Sequence, residues 1–426
     1  MTRFNSLLDW LSWQEGFHPR SIDLGLERAA TVYKALNPDA VKPPTIIVAG
    51  TNGKGSCIAY LEAIYRAQGY RVGAYTSPHI LKYNERIRID GQSVSDKLIC
   101  KAFERIDEVR NDVSLSYFEF GTLAALDIFW RSDLDVQLLE VGLGGRLDAV
   151  NIIDSDTSIV SSISVDHIDW LGETREAIAY EKAGVFRKNK PAIIGDVNPP
   201  NALAQQADIT NAQLRTINQD FSFQQNKNGW EWSCLGNKQR SYYDLPWPAL
   251  KGEHQYHNAS SVLMAVTEME DLLPVSKQSI RQGLQNIQLK GRFQIIEGKV
   301  PVLLDVAHNP QAVSALLNYL ESDFPDKKIH AVFAMMKDKD IEGVINIIKP
   351  VISDWFFVPL SHSRAVSEPQ MQVYFNNCGL EKINLGFENF SGAYLAACEK
   401  SEENDLILVF GSFFLVSEYL LKAENS

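Results

Sequence analysis

The chain has 426 residues, 45% of them hydrophobic and 22% charged, which is globular usage and more length than one core ordinarily absorbs. Its formal net charge of −12 leaves no global basic field for nucleic acid, whose phosphates are met by clustered Lys and Arg. The five cysteines, Cys57, Cys100, Cys234, Cys378 and Cys398, are widely spaced and form no CxxC pair. That argues against a disulfide framework or a zinc site and for a reducing compartment.

The opening residues mix apolar positions with Asp9, Gln14 and Glu15 and lack the unbroken apolar stretch of a signal peptide. The longest apolar run, Leu406 to Val416, has 11 residues, too short to span a bilayer as a helix. It reads as a buried strand running into a loop and a helix. A cytoplasmic protein with no membrane partner is expected.

Residues 1–40 read as helical, with SIDLGLER forming a turn-like stretch before a helix through Ala29 to Leu36. Pro43 and Pro44 break that helix and launch a strand, TIIVAG, at residues 45–50. RVGAYTS, VQLLEV (Val136–Val141), SIVSSIS (158–164) and PAIIGD (191–196) follow as further strands. Helical patterns lie between most of them, which implies parallel strands with helices on both faces. The stretch from about 205 to 250 is rich in Gln, Asn and Trp and alternates around FSFQQNKNGWEWSCL. A small antiparallel ribbon turned at Lys227-Asn228-Gly229 is expected there. A second α/β series starts near residue 290, with strands in VLLDVAHNP, HAVFAMM, DWFFVPL and DLILVFGS.

The strongest local signal is Gly50-Thr51-Asn52-Gly53-Lys54-Gly55-Ser56, between the strand TIIVAG and a helix from Cys57 to Gln68. Glycines let backbone N–H groups wrap phosphate oxygens, the helix start and Lys54 add positive charge, and the Ser56 hydroxyl can reach a magnesium ion. Two residues, rather than the usual four, separate Gly50 from Gly53-Lys54. A plain glycine-rich turn with a surface lysine is the alternative, and the strand–loop–helix context weighs against it. The expected architecture is therefore α/β with two doubly wound domains. An N-terminal P-loop ATPase-like domain with the ribbon spans 1–288, and a smaller C-terminal Rossmann-like domain spans 289–426.

Such sheets bind ligands beyond the carboxyl ends of their strands. Glu140 ends the strand VQLLEV, Ser77 follows RVGAYT before Pro78, and His167 follows SIVSSIS beside Asp166. Singly, Glu140 reads equally well as half of a local salt bridge, Ser77 as a turn former and His167 as a structural loop histidine. The glycines of LEVGLGGRLDA imply a backbone that must approach something closely.

AGTNGKGS stands in order with SIDLGLER, YTSPHI and ERIRI, SYFEFGTLAAL, LEVGLGGRLDAVNI, DHIDWLG, EKAGVFR, LKGRFQII, LLDVAHNP and FGSFF, from residue 21 to 413. Together these segments resemble the Mur ligase superfamily, in particular its folylpolyglutamate synthase and dihydrofolate synthase branch, and most of all its bifunctional bacterial members. The resemblance implies ATP-dependent addition of L-glutamate to 7,8-dihydropteroate and to the glutamate tail of reduced folates, through an acyl phosphate, by a monomer using ATP and one or two magnesium ions.

It also implies Ser77, Glu140 and His167 as magnesium ligands, with Ser56 near the ATP-bound ion. Lys182 matches a lysine carried in the family as an N-carboxylated side chain, a carbamate that adds an anionic oxygen ligand. Capture of carbon dioxide needs a neutral amine, hence a depressed pKa; from sequence alone an exposed helix lysine is the plainer reading. Asn258, Arg292 and Asp305 are implied as nucleotide contacts beside residues 51–56, and His308 as close to the reacting groups. Lys54, Lys182 and His308 are the implied catalytic residues. Ile22, Asp23 and Leu24, then Ser116, Tyr117, Phe118 and Glu119, then Leu147, Asp148 and Ala149 match pterin-binding stretches, and Ser412 of FGSFF is a further substrate contact. A flat, polar-edged pterin suits an aromatic face and carboxylates for its ring N–H groups. Core packing is the alternative for Tyr117 and Phe118.

Two other functions compete. Peptidoglycan-type Mur ligases carry a domain for a uridine nucleotide before the phosphate loop, and 49 residues precede Gly50. A P-loop switch or binding module fits poorly with the unusual loop and the second α/β series. Within the favoured branch, a folylpolyglutamate synthase without the dihydropteroate activity is the remaining alternative.

Overall fold

Two helices, α1 (Leu7–Phe17) and α2 (Glu27–Leu36), precede the first strand, β1 (Thr45–Ala49), which is buried along its whole length. Helix α3 (Lys54–Gln68) follows, then β2 (Val72–Tyr75), a short hairpin of β3 (Ile87–Ile89) and β4 (Gln92–Ser93), and helices α4 (Asp96–Val109) and α5 (Tyr117–Trp130). Next come β5 (Val136–Glu140), β6 (Thr157–Val160), α6 (Ile168–Leu171), α7 (Arg175–Ala183), β7 (Pro191–Ile194), α8 (Asn201–Thr210) and β8 (Gln213–Thr216). The chain is seen in a computed structural model that describes residues 3–20, 22–37, 41–235 and 239–424.

These eight strands form one sheet in the order β4-β3-β2-β5-β1-β6-β7-β8. From β2 through β8 neighbours run parallel; the β3–β4 hairpin adds antiparallel pairing at one edge. The parallel sheet expected from the alternating pattern is present, and the hairpin in ERIRI is an addition to it. Continuous apolar runs such as Ile46–Ala49 are fully buried, as parallel strands covered on both faces require.

The strand expected over 158–164 ends early, because β6 stops at Val160. Beyond it the hydroxyl-bearing residues leave the ladder and bond to the phosphate loop. The ribbon also differs from a two-stranded hairpin. It has three strands, β9 (Phe221–Asn226), β10 (Gly229–Cys234) and β11 (Arg240–Leu245), with β10 in the centre and the expected turn at Lys227-Asn228. Trp230 and Trp232 are buried on it, and the Trp232 indole N–H donates to Ser260 O at 3.2 Å, on helix α9 (His254–Glu268). Helix α10 (Lys277–Gln285) follows.

The second sheet comprises β12 (Gln294–Ile296), β13 (Val302–Asp305), β14 (Ile329–Phe333), β15 (Ile352–Phe357) and β16 (Leu406–Phe410), in the order β12-β13-β16-β14-β15 with only β12 antiparallel. Helices α11 (Pro310–Asp323), α12 (Ile341–Ile348), α13 (Glu368–Asn377), α14 (Phe390–Lys400) and α15 (Phe413–Glu424) accompany it. The apolar run from Leu406 thus resolves into β16, a Gly411-Ser412 turn and the start of α15. The chain divides into two compact units, one of Met1–Ala249 with Tyr256–Ile287 and a second of Leu250–Gln255 with Gln288–Ser426. The short segment Leu250–Gln255 therefore groups with the second unit, where a contiguous division at 288 would have placed it in the first.

Among the described residues no helix is long and apolar enough to cross a membrane. All five cysteines are free thiols.

Helix α3 carries the phosphate loop and is pressed against α10. A Cβ on Gly283 would lie 2.5 Å from Ile64 Cγ1 and 2.7 Å from Ile64 Cα, a backbone clash that a rotamer change cannot relieve. Gly283→Val should therefore destabilise this unit by about 1–3 kcal/mol through overpacking. Gly16→Ala, where a Cβ meets nothing within 4 Å, should be neutral or stabilising, because α1 gains helix propensity. Urea titration of both variants checks the contrast.

Candidate active site

The phosphate loop joins β1 to α3 through two glycines in the left-handed half of φ space, Gly50 at 143° and Gly53 at 87°, where other residues are strained. Space excludes side chains there as well. A Cβ on Gly50 would sit 2.0 Å from Ser161 Oγ, and one on Gly53 would sit 2.4 Å from Asn258 Oδ1. The second distance places Asn258 of α9 directly against the loop, far away in sequence. Lys54 Nζ folds back to donate to Gly50 O at 3.0 Å and Thr51 O at 3.1 Å.

Lys182, near the end of α7, is buried rather than an exposed helix lysine. Its Nζ donates to the same Gly50 carbonyl at 2.9 Å. Burial, reinforced by the Lys54 charge and opposed by Asp166 and Asp148, pushes its pKa down to about 7. Gly145 explains how α7 comes so close: a Cβ there would be 2.9 Å from both Glu181 O and Lys182 O. Of the glycines of LEVGLGGRLDA, Gly145 serves the approach to Lys182, while Gly142 makes room for Phe118 and Gly144 faces Leu171.

Glu140, at the end of β5, is 4% exposed. One carboxylate oxygen accepts the Ser77 N–H at 3.1 Å, and both lie 3.9 Å from where a Gly55 Cβ would be. Ser77, Glu140 and the start of α3 therefore converge, with the Ser56 side chain buried in the first turn. His167 stands at φ 54° ahead of the one-turn helix α6. Its N–H donates to Asp166 Oδ1 at 2.8 Å, and its ring Nε2 lies 3.9 Å from Asp166 Oδ2. Among the described residues no group of three His, Cys, Asp or Glu side chains is arranged to hold a metal ion. The set expected from sequence, Ser56, Ser77, Glu140, His167 and Lys182, comprises two hydroxyls, one carboxylate, one imidazole and one amine. A buried carboxylate with flanking hydroxyls, at a helix start built for phosphate, suits a hard cation such as magnesium.

The three stretches expected on the folate side are physically joined. Asp23 accepts from His18 Nε2 at 3.0 Å and Arg28 at 2.9 Å, and Arg28 also donates to Glu119 at 3.2 Å. Although burial opposes it, the His18 hydrogen bond with the Arg28 and Arg20 charges holds Asp23 below the usual carboxylate range. Gly25 N–H donates to Leu147 O at 3.1 Å, which brings Ile22–Leu24 beside Leu147–Ala149. Ser116 and Glu119 also form the capping box of α5: Glu119 accepts the Ser116 N–H at 2.7 Å and Ser116 Oγ accepts the Glu119 N–H at 3.3 Å. Their backbone duty was legible as S-x-x-E. Tyr117 and Phe118 are half-buried and both pack on the core, with Phe118 against the Cα of Gly142. Asp148 is buried, accepts N–H bonds from Leu143 at 2.8 Å and Val150 at 3.0 Å, and burial lifts its pKa to about 6 against those bonds.

In the second unit, Arg292, Asp305, His308 and Ser412 gather at the carboxyl ends of β13 and β16. Asp305 accepts N–H bonds from Phe293 at 3.0 Å and Ala307 at 2.7 Å. Burial raises its pKa to about 6 despite the nearby Arg292 charge and these bonds. Arg292 lies 5.1 Å from the centre of the Phe413 ring, which is 6.1 Å from the His308 ring. His308 Nδ1 faces Val306 O at 2.8 Å; a carbonyl only accepts, so Nδ1 carries hydrogen and Nε2 is the acceptor of the neutral ring. Ser412 Oγ accepts the Phe414 N–H at 3.2 Å.

Sequence reasoning missed His18, Arg28 and the serines after β6. Arg28 was visible within SIDLGLER, and the serines as hydroxyls interrupting an otherwise apolar strand.

A glycine loop at the carboxyl edge of a parallel sheet, two lysines on one loop carbonyl and a buried strand-end carboxylate define a nucleotide-dependent phosphoryl-transfer class of protein. Residues 291–413 match the family described as Mur ligase, glutamate ligase domain. The chain is 39% identical over 414 residues to the dihydrofolate synthase/folylpolyglutamate synthase of Escherichia coli K12, covering 97% of this chain and 94% of that protein. It superposes with TM-score 0.92 on Escherichia coli FolC in complex with DHPP and ADP, at 38% identity over 99% of both chains. A bifunctional folylpolyglutamate synthase/dihydrofolate synthase with Mn, AMPPNP and L-glutamate bound gives TM-score 0.91 at 40% identity over 100% of both. The chain therefore belongs to the dihydrofolate synthase/folylpolyglutamate synthase family of Mur ligases.

The environment of Lys182 sets a pH dependence. Its amine is protonated at the ordinary 10.5 when unfolded and at about 7 when folded. Between those values the unfolded chain binds more protons, so stability rises with pH across that window and is flat below it. In bicarbonate-free buffer, denaturant titrations from pH 7 to 10.5 should show this rise in the wild type and a smaller one in Lys182→Met.

Proposed function

We propose that this chain ligates L-glutamate to 7,8-dihydropteroate, giving dihydrofolate, and to the glutamate tail of reduced folates, giving folylpolyglutamates, at the expense of ATP. The observation that carries the reading is the convergence of Lys54, Lys182 and the α3 start on the Gly50 loop, beside Glu140 and Ser77, in a chain of this family. The substrate carboxylate oxygen bonds to the γ-phosphorus and ADP leaves; the glutamate amine then attacks the acyl carbon, the C–O bond to phosphate breaks, and the amine loses its proton.

The N–H groups at the start of α3 and the Lys54 ammonium would receive phosphate charge, a role met by positioning and electrostatics. Ser56, Ser77, Glu140 and His167 would hold magnesium, which when bound neutralises charge on the transferring phosphoryl group. Asn258, beside Gly53, and Arg292 and Asp305 of the second unit are proposed nucleotide contacts. His308, with Nε2 as an acceptor, is proposed to orient the amine or the acyl phosphate. On the folate side Asp23 and Glu119 are tied together by Arg28, with Ile22, Leu24, Tyr117, Phe118, Asp148 and Ala149 lining the proposed pterin site and Ser412 a further contact. A monomer working in the cytoplasm fits the free cysteines and the net charge of −12.

Lys182 is proposed to be a carbamate in the working enzyme. A buried amine held near pKa 7 is largely neutral at mildly basic pH; it can attack carbon dioxide and release one proton to solvent, and the resulting carbamate places an anion beside the Lys54 ammonium. Protein equilibrated with 13C-labelled bicarbonate at mildly basic pH should show a carbamate resonance that is lost in Lys182→Ala, together with activity. A fully active wild type without that resonance would refute the carbamate while leaving the ligase reading intact.

The ligase reading is checked by mass spectrometry of products. With MgATP, L-glutamate and dihydropteroate the expected product is dihydrofolate, and with tetrahydrofolate it is the diglutamate. Lys54→Ala should lower both by several orders of magnitude while the protein stays folded. Glutamylation of folates alone would narrow the assignment to a folylpolyglutamate synthase.

A further inference from the structure

The segment that leaves β6, Ser161-Ser162-Ile163-Ser164, belongs to no strand and no helix. Ile163 bonds to Asp196 and Arg175, while the serines direct several of their polar groups at the first half of the phosphate loop. Thr51 N–H donates to Ser162 O at 2.7 Å. Ser164 N–H donates to Thr51 Oγ1 at 3.0 Å, and that hydroxyl donates to Ser164 O at 3.1 Å. Asn52 is held at both of its backbone polar groups, one in the peptide on each side of its Cα. Its N–H donates to Ser162 Oγ at 3.2 Å, while its carbonyl accepts from Ser162 Oγ at 3.1 Å and from Ser161 Oγ at 2.6 Å. Gly50 is glycine partly because Ser161 Oγ occupies the place of its Cβ.

This arrangement divides the loop. The N–H groups of Thr51 and Asn52 are committed to the serine segment, so the phosphate-facing backbone donors must come from Gly53 onward. There the opening N–H groups of α3 have no intrahelical acceptor, the first helical bond of this turn being Cys57 N–H to Gly53 O at 2.9 Å. The peptide just before Gly53, whose carbonyl Ser162 and Ser161 both hold, sets where the Gly53 N–H points as the chain enters α3. The grip is built from the chain's own backbone and side chains, an arrangement that limits the freedom the loop has to lose on binding.

We propose that Ser162 is a positioning residue for the nucleotide: its hydroxyl fixes the Asn52 peptide so that the N–H groups from Gly53 to Ser56 converge on phosphate. The inference rests on the reading of residues 50–56 as the nucleotide loop. It assigns Thr51 and Asn52 to holding the loop's shape, with phosphate met from Gly53 onward. Ser162 acts through the phosphate loop and not through the folate stretches, so the effect of losing it should be confined to the nucleotide.

The test compares Ser162→Ala and Ser162→Thr with wild type by calorimetric ADP binding and by the KM of each substrate. Losing the hydroxyl should weaken ADP and raise the ATP KM by about tenfold, the scale of one hydrogen bond with an N–H left unsatisfied. The KM for dihydropteroate and for glutamate should stay within about twofold and kcat at saturating ATP within about threefold, the pattern of lost uniform binding. Ser162→Thr, which keeps the hydroxyl, should bind ADP like wild type. If Ser162→Ala does not fold, Ser162→Cys, similar in size with a weaker hydrogen-bonding group, carries the same comparison. An unchanged ADP affinity, an equal rise in all three KM values, or a Thr variant as weak as the Ala variant would overturn the proposal. A wild type that binds no ADP would overturn the nucleotide reading itself, which separates the two failures.

Discussion

Two lysine side chains share one backbone carbonyl. Lys54 and Lys182 both donate to Gly50 O, at 3.0 and 2.9 Å, so their nitrogens lie within about 6 Å of each other, where two unit charges repel by roughly 3 kcal/mol at an effective dielectric constant near 20. Burial is the larger cause of the depressed pKa of Lys182, and the Lys54 charge beside it adds to the cost of keeping both side chains charged. An anion brought among them relieves the conflict, whether a phosphate at the loop or a carboxylate made on Lys182 itself. Burying two amines side by side costs stability that an anion returns, as is common where electrostatics is arranged for function.

The rest of the first unit serves that arrangement. Glycines at 50, 53 and 145 remove the side chains that would keep the loop, Asn258 and α7 apart. The serines beyond β6 hold the loop from below, and the close fit of α3 on Gly283 fixes the helix whose first turn presents the N–H groups. Along the other flank the same economy recurs: Ser116 and Glu119 cap α5, and Glu119 then reaches Arg28, which also holds Asp23. The two carboxylates of the proposed pterin site are thereby oriented by a helix start and an arginine rather than by a loose loop.

Much of this was legible in the sequence, for identifiable reasons. The strands of both sheets announce themselves because a parallel strand covered on both faces must be apolar throughout, as Ile46–Ala49 and Leu406–Phe410 are. The phosphate loop is readable because only glycine tolerates the backbone it needs. What stayed hidden depended on long-range placement. Nothing local tells that Lys182 is buried, since EKAGVFR reads like any helix end; burial comes from Gly145, on a loop well before it in the chain. The end of β6 is easily misjudged because the serines of SIVSSIS suit a strand until their hydroxyls find a better partner, the Asn52 peptide. The edge hairpin at Ile87–Ser93 is short and the third strand of the ribbon, RSYYDL, is weakly patterned, and tertiary pairing rather than propensity makes them strands.

Phosphoryl transfer to the substrate carboxylate, ahead of attack by the amine, is the chemistry on which every role proposed for these residues depends. Dihydropteroate labelled with 18O in its carboxylate addresses it directly when incubated with MgATP and glutamate. Each turnover should deliver one labelled oxygen to inorganic phosphate, read as a mass shift of the phosphate, with the other retained in the amide of dihydrofolate. Dihydrofolate formed at full rate with unlabelled phosphate would contradict it.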